Sequence, residues 1–520
     1  MPTLAGWLTG EEVDQEIIAR TLTAMGEVLG QHGGEAARMI QPGFGLLAFS
    51  DTAYAQHHNE EPPALDWVPD RRTLVYRRPL SGMHALYYCV DWPAPGNLLF
   101  ASEIKALLAL GAPRRLHLAA LAALLRYGTI PSPWTIFKDI QLVPAGSLLR
   151  WQRGQTVVNH ATDYHLEEPL EHTLTLNEVH ILLREASEGQ LPPHNQLVAV
   201  TGGESASALA TLLAAQPGST PFPVVTMGKT GTRAQWDGVQ RLAEACEHPL
   251  LAITGADRPD FWTGTIAASE APTIDTRPLA LHQLLHTVAA ETGARVALSG
   301  IGAHTLLNLT HHPLPAIEQD NATEIFAAYR PAQHTRIWSS EAASALRTAS
   351  PWEETLHARK LARKAAQFAD PRHRHHYLDL HLRLPDYLVH SMQQLATQER
   401  IALRSPYLSP RMIETLTRLP AQLVDGTPRE AVLERLLQRS LPEAFAPIPK
   451  LPLPTIPLRH DADFVRETLS PRALKTTGLF DAAAVERLLK QKTGQTLQRE
   501  VLLIFTTQLL CRIFQVEDYA

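Results

Sequence analysis

Apolar and polar positions alternate in short runs along the first 165 residues, as in GFGLLAFS (43–50), TLVYRR (73–78), ALYYCV (85–90) and NLLFAS (97–102). Runs this short, punctuated by turn residues, predict β-strands and a β-rich first domain over residues 1–165. An amphipathic helix is expected from Leu116 to Tyr127, then a pair of strands between Ile140 and Gln155 with VPAGS as their turn. EEPLEHT (167–173) reads as a linker. From about residue 175 the pattern changes: LVAV (197–200), FPVVTMG (222–228) and RVALSG (295–300) are continuous apolar strands. Helical stretches separate them, one of them around Gln235 to Ala245. That alternation predicts a parallel sheet in a second domain over residues 175–520. Beyond about residue 320 the chain reads as largely helical, rich in Arg, Leu and Ala and broken by prolines.

Composition narrows the functional classes. A net charge of -6 offers no basic excess for tracking a phosphate backbone, so nucleic acid is not an expected partner. MPTLAGWLTGEEVDQE turns acidic where a secretory signal would stay apolar, and no run approaches the roughly 18 apolar residues of a membrane span. Cys89, Cys246 and Cys511 lie far apart, without zinc-ligand or disulfide spacing, which suits a reducing cytoplasm. The 24 histidines are scattered; His311 with His312, and the cluster His373, His375 and His376, read as solvated loop residues rather than metal ligands.

One segment carries candidate chemistry on its own pattern. LVAV runs into Thr201-Gly202-Gly203-Glu204-Ser205-Ala206-Ser207 and then a helix. Unpaired backbone N–H groups and the positive end of a helix dipole meet there, at the carboxyl end of a strand where ligands of open sheets bind. The hydroxyls of Thr201, Ser205 and Ser207 add donors for an anion. A plain strand-to-helix turn with Ser205 as N-cap explains the same residues.

This segment resembles the S-G-G-x-D-S-S pyrophosphate loop of asparagine synthetases of the glutamine-dependent type and of their β-lactam synthetase and lasso-peptide cyclase relatives. Further matches follow in the same order along the chain. LLFASEIKALLALG (98–111) and LAALLRYGTIPSPWTIFKDIQLVPAGSLL (121–149) are similar to the family's strand, helix and G-x-x-P-x-x-x-T-I-F-x-x-I-x-x-L-P-P-G segment. ARVALSGIGAHTLL (294–307), with Ser299 and Gly300, resembles the V-V-L-S-G-E-G-A-D-E-L-F turn. LRLPDYLVHSMQQLATQERIALRSPYLSPRMIE (382–414) matches the family helix ending in E-A-R-S-P-F-L-D, and LPEAFAPIPKLPLP (441–454) resembles L-P-E-x-I-x-x-R-P-K-x-G-F. The resemblance implies an α/β fold: an N-terminal glutaminase-like, Ntn-type αββα sandwich and a C-terminal synthetase domain of the adenine nucleotide α-hydrolase, PP-loop type. That domain would have a parallel sheet and a helical C-terminal part.

The resemblance also implies sites, and the residues standing in them differ from the family. Its amidotransferases use an N-terminal cysteine where this chain has Pro2, so no glutaminase activity is expected. The synthetase half would bind ATP and Mg²⁺ through Thr201, Gly202, Gly203, Ser205, Ser207, Ser299 and Gly300. The loop aspartate is Ser205, and the charged positions of the second turn are Ile301, His304 and Thr305. The K-x-D-R positions of the helix are Ser391, Gln393 and Gln394. No metal ligand is assigned. Lys450 stands where the family has a catalytic lysine, and Glu204 is one residue from the missing aspartate; a surface lysine, and a side chain turned about 100° away, are the alternatives. Two expectations follow: a pseudo-synthetase serving an active paralogue or a biosynthetic partner protein, or a divergent AMP-forming amide ligase. An oligomer is open under both.

Overall fold

In the computed structural model, residues 3–11, 13–30, 35–50, 64–168, 170, 172–191, 197–200, 205–215, 221–227, 233–253, 259–309, 337–440, 458, 463–490 and 495–519 are described. The first half contains β1 (Thr3–Leu8), β2 (Glu35–Gln41), β3 (Phe44–Ser50), β4 (Ala64–Val68), β5 (Thr73–Arg77), β6 (Tyr87–Val90), β7 (Leu98–Ala101), β8 (Arg115–Leu116), β9 (Gln141–Leu142), β10 (Ser147–Gln152) and β11 (Gln155–His160). They form a six-stranded sheet in the order β2-β3-β1-β7-β6-β9 and a four-stranded sheet in the order β11-β10-β5-β4. All pairings within these two sheets are antiparallel.

The period of two along β1 decides which core each side chain joins. Leu4 and Leu8 enter the apolar layer between the sheets, with Phe44, Tyr76, Phe100 and Trp151. Ala5 and Trp7 face the other way, into the cluster holding Ile18, Leu22, Met25 and Leu29 of the helix Gln15–Leu29. Gly6 shares the face of Leu4 and Leu8, and a Cβ there would meet the Phe100 ring at 2.2 Å.

Two local expectations are corrected, and one helix is added to the β-rich half: Asp14 caps the helix Gln15–Leu29, accepting the Glu16 N–H at 2.9 Å. VPAGS does not close a hairpin, because β9 pairs with β6 in one sheet and β10 with β5 and β11 in the other; the segment carries the chain between sheets. The helix expected from Leu116 starts at Leu118, since Arg115 and Leu116 pair in parallel with β17 (Asp518–Tyr519).

The second half contains β12 (Leu197–Val200), β13 (Val224–Met227), β14 (Leu250–Ile253), β15 (Val296–Leu298) and β16 (Ala402–Arg404), in a five-stranded parallel sheet ordered β14-β13-β12-β15-β16. Every residue of β12 and β15 is buried, as covering on both faces requires. The helices Ser205–Ala214, Arg233–Ala245, Pro259–Ser269 and Arg277–Thr292 alternate with these strands, and helices dominate the described residues beyond 340.

The stretch matched to one uninterrupted family helix is composite. It begins within eleven residues of π-helix (Asp379–Val389, with Pro385 inside), continues as the α-helix His390–Gln398, passes through β16 at the sheet edge and ends in the helix Pro410–Thr417. The histidine cluster also differs from expectation: it lies in the helix Pro371–Leu378, with His375 and His376 only 6% and 1% exposed. His311 and His312 lie outside the described residues. Cys89, Cys246 and Cys511 are buried free thiols, each pushed up to about 12 by burial first of all. Among the described residues no helix is long and apolar enough to cross a membrane.

Candidate functional site

Parallel pairing places the carboxyl ends of β12 and β15 side by side, with Ala199 opposite Leu298. The loops leaving those ends carry the residues singled out in the sequence. Thr201, Gly202, Gly203, Glu204 and Lys450 lie outside the described residues, as does Pro2, and of Ser205 only the helical backbone is described. Ser207, Ser299 and Gly300 are brought together. Ser207, 7% exposed, accepts the Gly300 N–H on Oγ at 3.1 Å. Ser299 Oγ donates to the Arg404 carbonyl and accepts the Ile301 N–H, each at 3.4 Å. Ser405 Oγ donates to the Ile301 carbonyl at 2.7 Å. These bonds tie the two strand ends and β16 to one another.

The turn after β15 depends on Gly302, whose φ of 92° an L side chain rarely adopts. Ile301 packs against the apolar core of this half, and Thr305 is 2% exposed. The Thr305 carbonyl accepts a hydrogen bond from His376 Nε2 at 2.8 Å. Burial lowers His376 to about 4, so its ring is neutral at physiological pH.

A second polar group, not anticipated from the sequence, lies where the halves meet. Gln393 Oε1 accepts the His84 N–H at 3.0 Å, and Gln394 Nε2 donates to Tyr87 Oη at 2.9 Å and Glu270 Oε2 at 3.4 Å. Tyr87 Oη is 2.7 Å from His390 Nε2. Burial, and then the Arg78 charge, lower His390 to about 3, so its ring is neutral. Glu270 accepts the N–H groups of Ile104 and Lys105 at 2.8 and 2.7 Å, thereby capping the helix Ile104–Leu108 from the opposite half. Burial pushes Glu270 up to about 7, against the pull of Lys105.

Nearby, Arg78 and Asp386 face each other at 3.8 Å with side chains 0% and 1% exposed. Arg78 also donates to the Val143 and Gly82 carbonyls at 2.8 and 2.7 Å, and Asp386 accepts the Ser132 N–H at 2.8 Å. Tyr87, Glu270, Asp386, His390, Ser391 and Gln394 border a cavity of about 90 Å³. That is well below the roughly 300 Å³ of a typical small-molecule pocket. No periodicity could have announced this group: Tyr87 and His390 are 303 residues apart in the chain.

An antiparallel sandwich followed by a parallel sheet with a helical end defines a two-part protein of the amidotransferase and ligase class. The chain belongs to the asparagine synthase family: that family matches residues 178–511, and the glutamine amidotransferase domain matches residues 65–164. No curated protein matches it.

Proposed function

We propose that this chain is a pseudo-synthetase: an asparagine-synthase-like protein that keeps the fold as a binding or partner subunit and does not activate a carboxylate. The observation that carries this reading is the use made of the positions where the family resemblance puts charged groups. Gln393 and Gln394 hydrogen-bond across the seam, to His84 and to Tyr87. Ile301 packs into the apolar core and Thr305 is buried.

A magnesium nucleotide calls for oxygen ligands, chiefly carboxylates, and for cations on the departing phosphates. The side chains at these positions do not fit it. The Gly300 N–H, a donor facing the carboxyl end of the sheet, is already taken by Ser207. The partners that suit such a subunit are an active paralogue or another biosynthetic protein, in a reducing cytoplasm where three buried thiols stay free.

Substrate-dependent exchange of labelled pyrophosphate into ATP is the deciding measurement. With Mg²⁺ and a panel of carboxylic acids the expected rate equals that without protein; exchange above that background overturns the reading. A divergent AMP-forming ligase of the β-lactam synthetase or lasso-peptide cyclase type is the second reading. It is favoured by Ser207 and Ser299 gathered at adjoining strand ends, together with Glu204 and Lys450 in the sequence. Stoichiometric AMP release would establish it.

A further inference from the structure

Outside both groups above, two neighbouring side chains and one from a distant part of the chain converge. β11 ends at His160, Asp163 follows as the chain leaves the sandwich, and His381 lies in the π-helical segment Asp379–Val389. Asp163 Oδ1 is 3.7 Å from His160 Nε2 and 3.4 Å from His381 Nε2. One ligand atom from each residue falls within 4.8 Å of the others, and this is the one such trio among the described residues.

Both nitrogen-to-oxygen gaps exceed the roughly 2.7–3.2 Å of an N–H···O bond. His160 Nε2 and His381 Nε2 are buried atoms without a hydrogen-bond partner. A tetrahedral ion with bonds of about 2.0–2.1 Å holds its ligands roughly 3.3 Å apart, near the two nitrogen-to-oxygen distances here.

The surroundings prepare the ligand atoms. His381 Nδ1 is 2.9 Å from the Tyr377 carbonyl, which only accepts, so Nδ1 carries a proton and donates it. The ring's Nε2 is thereby turned toward the Asp163 carboxylate. Asp163 is itself held from two sides, by the Tyr164 N–H on Oδ1 at 2.8 Å and by Tyr377 Oη on Oδ2 at 3.2 Å. An oriented imidazole and an oriented carboxylate are what metal ligands need from their neighbours. His381 is 1% exposed at its side chain, whereas His160 and Asp163 are 22% and 24% exposed, which leaves an approach from solvent.

We propose that His160, Asp163 and His381 bind a divalent transition ion, zinc by its donors and spacing, with water in the fourth position. Two imidazoles and one carboxylate suit zinc and disfavour magnesium or calcium. The ion would clamp the last strand of the sandwich to the π-helical segment. This is independent of whether the synthetase half is active.

The test uses zinc itself on the full chain, stripped with chelator and titrated by calorimetry, alongside His160→Gln, Asp163→Asn and Tyr377→Phe. Wild type is expected to take up one zinc per chain, about 100-fold more tightly than H160Q or D163N, with Y377F between them. Zinc is also expected to raise the melting midpoint of wild type and not of H160Q. Because a ligand variant could misfold, cobalt added to stripped wild type supplies a second readout: visible absorption of a tetrahedral site. Zinc binding no tighter in wild type than in H160Q, or cobalt without those bands, overturns the proposal and leaves an ion-pair network.

Discussion

Gln393 and Gln394 are adjacent in one helix, yet their amides serve different neighbours: one accepts from a backbone N–H, the other donates to a phenol and a carboxylate. Neither bond needs a charge. Gly302 is the converse, a position with no latitude. Its φ is 92°, and a Cβ would meet Leu408 Cδ2 at 2.7 Å. Leu408 can rotate, but the backbone angle stays strained. Gly302→Ala is therefore expected to cost about 1–3 kcal/mol. Urea unfolding should show a lower midpoint with an unchanged slope; an unaltered midpoint would mean that the turn relaxes into another conformation.

At the scale of elements, what could be read in advance follows from what each element asks of its own residues. LVAV and RVALSG were legible because a strand covered on both faces is apolar throughout, and the short strands of the sandwich because their runs end in turn residues. The gathering of Ser207, Ser299 and Gly300 followed from two loops at neighbouring strand ends. The seam and the His160 trio were not legible, because their geometry is set by packing between elements; Tyr377 and Asp163, for instance, are 214 residues apart. The π-helical segment escaped for a related reason, since its widened turn answers to what docks on it.

Gly82 is part of that docking. It has a φ of 81°, and a Cβ there would stand 2.4 Å from Pro385 Cα. Here the obstacle is backbone, with no flexible side chain to yield. Gly82→Ala should cost more than Gly302→Ala, about 2–4 kcal/mol, and should loosen the contact between halves. Faster proteolysis between residues 165 and 175, together with a lower melting midpoint, would register it. Wild-type behaviour in both would show that Pro385 does not hold the turn.

The whole molecule is held as one body by contacts of three kinds. An apolar cluster runs from Trp7 and Leu107 of the first half to Trp262 and Phe505 of the second. β17 returns to pair with β8, and Arg114 Nη1 donates to the Phe514 carbonyl at 2.9 Å. The third kind is ionisable, and it makes the union depend on pH. Glu270 rises from 4.5 to about 7 and Asp386 from 3.8 to about 6, in each case because burial outweighs the nearby cation and N–H groups. Between the unfolded and folded values the native chain keeps a proton that the unfolded chain has released. Stability from Glu270 is thus fully present below about 4.5, falls by roughly 1.4 kcal/mol per pH unit up to about 7, and is level above that. Asp386 acts with the same sign in a lower window. Glu270→Gln removes one proton linkage and leaves the other, while keeping an oxygen to accept an N–H from the helix Ile104–Leu108. Melting midpoints of E270Q and wild type across that range should therefore diverge, E270Q gaining on wild type as pH rises toward neutrality and holding a constant lead beyond it. A difference that stays constant throughout would show that Glu270 is already ionised in the fold, with Lys105 and the helix N–H groups outweighing its burial.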